Sequence, residues 1–108
     1  MNEPYRILFS PAALDDMKST YAYLAYQLKA PDTAKNLIQR INDEIFALDF
    51  MPFRYEQVDW EPWKSMGMRK MPVNNFVVFY LVNPAAMTVT IFRIVYGGSD
   101  LQRIATTQ

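Results

Sequence analysis

The side chains that could do chemistry in this 108-residue chain form a short set, because the sequence contains neither histidine nor cysteine. Histidine is the commonest general base and metal ligand in proteins, and cysteine supplies thiolate nucleophiles, disulfides and metal ligands. Zinc hydrolases, Ser-His-Asp triads and histidine-based nucleases are therefore excluded. Any acid-base chemistry must use carboxylates, lysine, arginine or tyrosine. We expect no metal and no cofactor.

The cations that could hold a phosphate group are few. Residues 67–108 carry four Lys or Arg against one Asp or Glu, whereas residues 1–66 carry seven against ten, so the C-terminal part is mildly basic and the whole chain neutral. A neutral chain argues against a dedicated nucleic-acid-binding domain, which usually has a basic excess. The candidate basic residues are Arg69, Lys70, Arg93 and Arg103.

Each candidate has a structural alternative to its chemical role. Arg69 could instead discourage aggregation at an exposed edge strand. Arg93 lies among apolar residues, and we expect it to pair with a carboxylate or a loop carbonyl. Asp100 is a candidate base or a cap for the C-terminal tail. Tyr80 and Tyr96 could be aromatic residues at the rim of the core, each with a hydrogen-bonded hydroxyl.

Two amphipathic helices are predicted after a short strand at 5–9. Ser10 and Pro11 are typical of an N-cap and a first helical residue. In the helix that they begin, Asp15 and Asp16 lie off an apolar stripe formed by Leu14, Met17, Tyr21, Leu24 and Leu28. A second helix is predicted from about Pro31 to about Phe50, with a stripe formed by Ala34, Leu37, Ile38, Ile41, Ile45 and Leu48. The short connection makes the two helices an antiparallel hairpin.

Three runs rich in Val, Ile, Phe, Tyr and Thr between Met68 and Asp100 predict an antiparallel meander. Asn74-Asn75 and residues 83–86 separate the runs. Strict alternation in the last strand places Arg93 and Val95 on one face and Phe92 and Ile94 on the other. The middle strand is apolar on both faces, so the face away from the helices must contact a partner protein or be shielded by the loop and the tail.

The segment 51–67 is predicted to be an irregular connecting loop. It contains Trp60 and Trp63, two prolines and three acidic residues. Long loops of this kind are often functional. The two tryptophans either close one edge of the core or form a surface for a target or partner.

The sequence resembles the RelE/ParE superfamily of type II toxin-antitoxin toxins, also called plasmid stabilisation proteins. The matching segments, in chain order, are Tyr5-Arg6-Ile7, Ser10-Pro11-Ala12-Ala13 with Asp15-Asp16, Met68-Arg69-Lys70-Met71-Pro72-Val73 before Phe79-Tyr80, the strand 89–96, and Gly97 with Asp100. The resemblance covers nearly the whole chain. It implies one α+β domain over residues 1–108, with element order β-α-α-β-β-β and the helical hairpin packed on an antiparallel sheet.

The superfamily includes ribosome-dependent mRNA endonucleases, proteins that poison DNA gyrase, and members without proven activity. The nuclease branch uses a cluster of cations and often a late tyrosine. In a gap-free comparison three of those positions hold Val77, Ser99 and Ala105, whereas Arg69 is retained. The resemblance is therefore closer to ParE-like than to RelE-like members.

The resemblance implies a cytoplasmic, growth-inhibiting toxin that binds a target protein, with DNA gyrase as the candidate target. The alternatives are a RelE-type endonuclease acting on mRNA at the ribosome through Arg69, Lys70 and Arg93, and a non-toxic protein that only binds. The implied partner is the C-terminal segment of a cognate antitoxin, with a homo-oligomer or heterotetramer as possible assemblies. Candidate contacts with target or antitoxin are Arg69, Val77, Arg93, Tyr96, Asp100, Arg103, Trp60 and Trp63. The N-terminus lacks the features of a signal peptide, and we expect no membrane span.

Overall fold

A computed structural model describes residues 3–97 of the chain. Its elements are β1 (Arg6–Phe9), α1 (Pro11–Ala22), α2 (Pro31–Phe46), α3 (Trp63–Met66), β2 (Arg69–Val73), β3 (Phe76–Asn83) and β4 (Thr88–Tyr96). A π-helical turn, Tyr23–Gln27, continues α1, and 3-10 turns at Ala47–Asp49 and Pro52–Arg54 follow α2. None of the helices in this part of the chain is long and apolar enough to cross a membrane.

The four strands form one sheet in the order β1-β4-β3-β2. The pairs β2–β3 and β3–β4 are antiparallel, which confirms the predicted meander, and β1 lies parallel to β4 at the edge. The α+β class and the element order are therefore as predicted, with a mixed sheet. The segment 51–67 is more ordered than an irregular loop, since it contains a 3-10 turn and α3.

The start of α1 follows the sequence prediction, but the rotation of the helix does not. Ser10 is the N-cap, and its hydroxyl oxygen accepts the N–H of Ala13 at 3.0 Å. The predicted stripe was expected to be buried, yet Leu14 and Leu28 are 48% and 54% exposed. The fully buried residue of α1 is Ala13, whose small side chain lets the helix lie close to β4. Asp16, expected away from the core, faces the sheet.

A β-bulge in β4 explains a second difference from prediction. Phe79 is paired with Arg93, but Tyr80 is paired with Ile91, so Phe92 is the extra residue of β4. An extra residue reverses the alternation of side chains beyond it. Ile94 consequently packs in the core beneath the helices, and Val95 packs on the opposite face of the sheet. Strict alternation had placed these two residues the other way round.

The first turns of α1 satisfy the backbone groups that the bulge leaves without strand partners. The Ser10 hydroxyl donates to the carbonyl oxygen of Phe92 at 2.7 Å. The Asp16 carboxylate accepts the backbone N–H of Ile94 at 2.8 Å, and it also accepts Nε and Nη2 of Arg93 at 2.7 and 2.9 Å. This set of bonds fixes both the position and the rotation of α1 on β4.

The sheet has an apolar cluster on each face. On the helix-side face, Ile41 and Ile45 of α2 pack on the sheet and are fully buried as predicted. Leu48 is also fully buried, but it lies in the 3-10 turn after α2, because the helix ends at Phe46 and not near Phe50. On the opposite face, here called the loop-side face, the segment 58–68 packs over a smaller cluster around Phe79 and Val95. This face was expected either to contact a partner or to be shielded by the loop and the tail, and the loop covers at least its centre.

Replacing Asp16 with Ala should destabilise the fold by about 3 kcal/mol, because it leaves the largely buried Arg93 guanidinium and the Ile94 N–H without their acceptor. Urea unfolding monitored by circular dichroism measures the loss. Asp15→Ala is the matched control, since Asp15 is exposed, and it should change stability by less than about 0.5 kcal/mol. Equal effects of the two substitutions would contradict the role assigned to Asp16.

Candidate functional site

Arg69, the first catalytic candidate, is held by backbone carbonyl groups of the segment after α2. Its Nη1 atom donates to the carbonyl oxygen of Tyr55 at 2.6 Å and to that of Phe53 at 3.2 Å. Its guanidinium carbon also lies 5.1 Å from the centre of the Phe53 ring, within the range of a cation–π contact. Arg69 therefore anchors this segment to the edge of the sheet.

Tyr80 strengthens the same anchor from the neighbouring strand. It is paired with Arg69 across β2 and β3, it is fully buried, and its hydroxyl donates to the carbonyl oxygen of Pro52 at 2.7 Å. Burial raises the pKa of Tyr80 to about 12 because the phenolate would lose its hydration. Arg54 also donates hydrogen bonds to backbone carbonyl oxygens near this segment, the shortest being the bond to Phe50 at 2.6 Å. Tyr80 is thus a structural donor and is protonated at neutral pH.

Lys70 lies on the loop-side face. Its Nζ atom is 4.0 Å from a carboxylate oxygen of Glu56 and 5.8 Å from the centre of the Trp60 ring. The Glu56 side chain is mostly exposed, so this ion pair is weak. Lys70 is the catalytic candidate with the fewest internal contacts.

Arg93 has the carboxylate partner that the sequence indicated. The bidentate pair with Asp16 is largely buried, with side chains 19% and 15% exposed. The hydrogen bonds that Arg93 donates to the Asp16 carboxylate raise the pKa of the Arg93 guanidinium above its ordinary value, although burial acts in the opposite direction. A phosphate group would have to displace Asp16 in order to reach this cation.

The three catalytic candidates do not converge on one point. Lys70 and Arg93 are both paired with Phe79, one on each side of β3, so their Cα atoms are about 10 Å apart. Arg69 alternates with Met71 and Val73 and so belongs to the helix-side face, unlike Lys70. The cations are therefore used separately, each with its own internal partner.

The two tryptophans cover the loop-side face. The Trp60 ring packs edge-on against Phe79 with 6.3 Å between ring centres, and the Trp63 ring lies 4.8 Å from that of Phe92. Val77 borders the same cluster. Both indole Nε1 atoms are buried and have no hydrogen-bond acceptor among residues 3–97. The tryptophans thus close this side of the core; their predicted contact with a partner is an untested hypothesis.

A groove of about 1150 Å³ lies between the helical hairpin and the ends of β3 and β4. Of the predicted contact residues, Tyr96 lines it and is more than half exposed. The groove is also lined by side chains that the sequence did not assign to a binding surface, mainly Tyr23, Asn36, Leu37, Arg40 and Phe76. The other predicted contacts, Asp100 and Arg103, lie outside the described residues.

The missed residues left weak signals in the sequence. Tyr23 lies in the π-helical turn, a local distortion that often occurs at functional sites. No residue pattern predicts such a turn from the sequence. Asp16 and Ala13 are three residues apart, so both project from one face of α1. This spacing could have indicated that Asp16 faces the sheet, had the larger Leu14 and Met17 not suggested a different stripe.

Comparison with known proteins agrees with this architecture. The sequence model of a family described as the ParE toxin of the type II toxin-antitoxin system parDE matches residues 7–101. The chain belongs to the ParE toxin family. No individually curated protein matches the sequence significantly. The match confirms the RelE/ParE resemblance and favours its ParE branch.

Solved structures share the fold of this ParE-family chain at low sequence identity. The structure described as the chromosomal ParDE system of P. aeruginosa aligns with a TM-score of 0.72 and 17% identity, over 88% of this chain and 98% of that one. The RelBE2 complex of Mycobacterium tuberculosis aligns with a TM-score of 0.66 and 18% identity, over 89% and 94%. The RelE–RelB complex of Pyrococcus horikoshii OT3 gives 0.62 and 14%, over 88% and 97%.

Replacing Tyr80 with Phe should change how stability depends on pH. Since the folded-state pKa is about 12 and the ordinary value is 10.0, the buried phenol stabilises the fold fully below about pH 10, and this contribution is lost as the pH rises towards 12. At neutral pH, Tyr80→Phe should cost about 1 kcal/mol through the lost bond to Pro52. Above about pH 10 the difference between the two proteins should shrink.

Urea unfolding at a series of pH values measures this difference. Tyr26→Phe is the matched control, because Tyr26 is 73% exposed and loss of its hydroxyl at neutral pH should change stability by less than about 0.5 kcal/mol. A stability difference between wild type and Tyr80→Phe that stays constant up to pH 12 would contradict the burial effect on the Tyr80 hydroxyl.

Proposed function

We propose that this ParE-family chain is a toxin that arrests growth by binding a target protein, with DNA gyrase as the first candidate. The observation that carries the proposal is that the guanidinium groups of Arg69 and Arg93 are both bound to other groups of this chain. A nuclease needs cations that hold the phosphate and stabilise the charge that develops in the transition state. In this chain Arg69 binds backbone carbonyl groups and Arg93 is neutralised by Asp16.

Proton transfer presents the same difficulty for a nuclease. Cleavage through the 2′-hydroxyl of RNA needs a base that can remove its proton near neutral pH. Tyr80 has a pKa of about 12 and is fully buried, so it does not serve as this base. Among the three described candidates, Lys70 has the weakest internal contacts, an ion pair at 4.0 Å with the mostly exposed Glu56 and a contact with the Trp60 ring, and a single lysine offers no cluster. Protein binding therefore fits the described residues better than RNA cleavage.

We further propose that the C-terminal segment of a cognate antitoxin occupies the groove between the helical hairpin and the sheet. The matching structures from M. tuberculosis and P. horikoshii are described as toxin-antitoxin and RelE–RelB complexes. In this chain the groove offers aromatic rings of Tyr23, Phe76 and Tyr96 together with side-chain amides and hydroxyls. Such a mixed lining suits a polypeptide segment, whose apolar side chains pack on rings while its backbone forms hydrogen bonds.

Expression of the chain without an antitoxin should arrest growth, and the purified protein should trap DNA gyrase on cleaved DNA. The reason is that its accessible surfaces are suited to a protein target. Growth curves after induction and a gyrase cleavage assay on supercoiled plasmid measure the two effects. Growth arrest without any effect on gyrase would remove gyrase as the target.

The same protein should leave mRNA intact on programmed ribosomes, as measured by primer extension. Cleaved message would support the RelE-type alternative and contradict the proposal. Harmless overexpression of folded protein would instead support a chain that only binds. Lys70→Met is a useful comparison, because loss of the described candidate cation with the weakest internal contacts should leave growth arrest unchanged if RNA cleavage is not involved.

Tyr96→Ala should weaken antitoxin binding by about tenfold or more, since exposed aromatic residues in grooves are common hot spots. The antitoxin to use is the product of an adjacent gene that neutralises the toxin in cells. Isothermal titration calorimetry measures the affinity. Tyr26→Ala is the matched control, because Tyr26 is exposed and does not line the groove. Equal affinities for Tyr96→Ala and wild type would place the antitoxin elsewhere.

A further inference from the structure

The two edges of the sheet differ in how they are protected. At the β2 edge, the loop covers the strand: the N–H of Lys70 donates to Glu56, the N–H of Val58 donates to Met68, and Gln57 forms a bridge with Arg69. Pro72 in the same strand has no N–H to offer. Natural proteins use such devices to prevent strands of other chains from adding to a sheet.

The β1 edge lacks this protection over its central residues. The N–H of Arg6 donates to the carbonyl oxygen of Met87, just before β4, and the N–H of Ser10 donates to that of Ile91 in β4, each at 2.9 Å. Because backbone groups alternate in direction along a strand, the N–H and C=O groups of Ile7 and Phe9 point away from β4. Within residues 3–97 no other strand pairs with β1. At one end, the N–H of Tyr5 is bonded to the carbonyl oxygen of Asp49, so the open edge spans 7–9.

Exposed apolar side chains surround this open edge. Leu8 is 39% exposed on the strand itself, and Phe46, whose ring centre is 6.0 Å from that of Phe9, is 52% exposed. Phe50 and Met51 are 59% and 62% exposed and line a hollow together with Tyr5, the residue that precedes β1. Several large apolar side chains exposed beside one open strand edge favour a protein interface there.

We propose that a second copy of this chain pairs with β1, antiparallel to it, around a two-fold axis at Leu8. Each Ile7 would then face Phe9 of the other copy, and the four outward N–H and C=O groups of each copy would form hydrogen bonds. The two Leu8 side chains would face each other on the loop-side face. Arg6 would face Ser10 of the other copy, so no like charges are opposed. The two sheets become one sheet of eight strands.

The exposed apolar area is sufficient for a reversible dimer. Four or five half-exposed large side chains on each copy, with the paired strands, would bury on the order of 1000 Å² in total. Specific complexes generally bury about 1200 Å² or more, and weak ones somewhat less. We therefore expect a weak, reversible dimer that forms as the concentration rises.

Self-complementarity favours a second copy as the occupant of this edge. The two residues with outward backbone groups are separated by one residue, which is the spacing that an antiparallel two-fold pairing requires. This surface is separate from the groove assigned to the antitoxin, because none of its residues lines that groove. The dimer can therefore be tested independently of toxicity.

Sedimentation equilibrium of the purified full-length chain tests the proposal. Wild type should change from monomer to dimer with increasing concentration. Leu8→Lys and Leu8→Glu should each be monomeric, because each places two like charges opposite each other at the axis. Mixing the two variants should restore dimers, since a lysine then faces a glutamate. Circular dichroism spectra that match wild type show that each variant is folded.

The matched controls are Leu14→Lys and Leu14→Glu, since Leu14 is a similarly exposed leucine on α1, and both should dimerise as wild type does. A wild-type monomer at all concentrations would overturn the proposal and leave the edge to a strand of another protein. Dimers that persist in folded Leu8→Lys would also overturn it. A mixture of the two Leu8 variants that stays monomeric would contradict the antiparallel two-fold pairing.

Discussion

The carboxylate of Asp16 is the contact on which the rest of this structure depends. It accepts three hydrogen bonds from two consecutive residues of β4, two from the Arg93 guanidinium and one from the backbone of Ile94. Bonds between charged groups are stronger than those between neutral ones, and here they form at the boundary of the core. They join the beginning of the chain to its last described strand, 77 residues apart.

This contact also determines which chemistry remains available to the chain. Because Arg93 is neutralised from within, the central part of the sheet presents no free cation at that position. Arg69 is similarly occupied by carbonyl groups, which it holds together with Tyr80. Positions that could bind a nucleic acid in principle thus stabilise the fold of this ParE-family protein. What the described surface offers to other molecules is a groove, an open strand edge and exposed aromatic rings, all of which suit proteins.

Regular elements were predictable from the sequence because their signals are local. Ser10-Pro11 predicts the start of α1, and Asn74-Asn75 predicts a hairpin turn. The apolar stripe of α2 matches its buried face. Three features were harder to predict from the sequence: the groove, the rotation of α1 and the covering of the loop-side face. Each depends on packing between distant segments, which residue periodicity does not encode.

The partner of Arg93 shows the difference between what local sequence signals predict and what depends on packing between distant segments. An arginine inside an apolar strand requires an acceptor, and this requirement predicts a carboxylate or a carbonyl. Which group supplies it depends on how α1 is rotated, and that rotation depends on the bulge. The apolar residues on both faces of β4 conceal the bulge, since Arg93 alone does not show where the alternation of side chains changes.

The bulge at Phe92 has a consequence for how related sequences are compared. A relative with a regular strand at this place has one residue fewer, so a correct alignment requires a gap inside β4, within a run of hydrophobic residues where alignment methods are least inclined to open one. Without the gap, each residue that follows is matched with a residue from the other face of the sheet. Inventories of active-site positions transferred across this strand would then compare core residues with surface residues and misjudge which members of the superfamily retain a function.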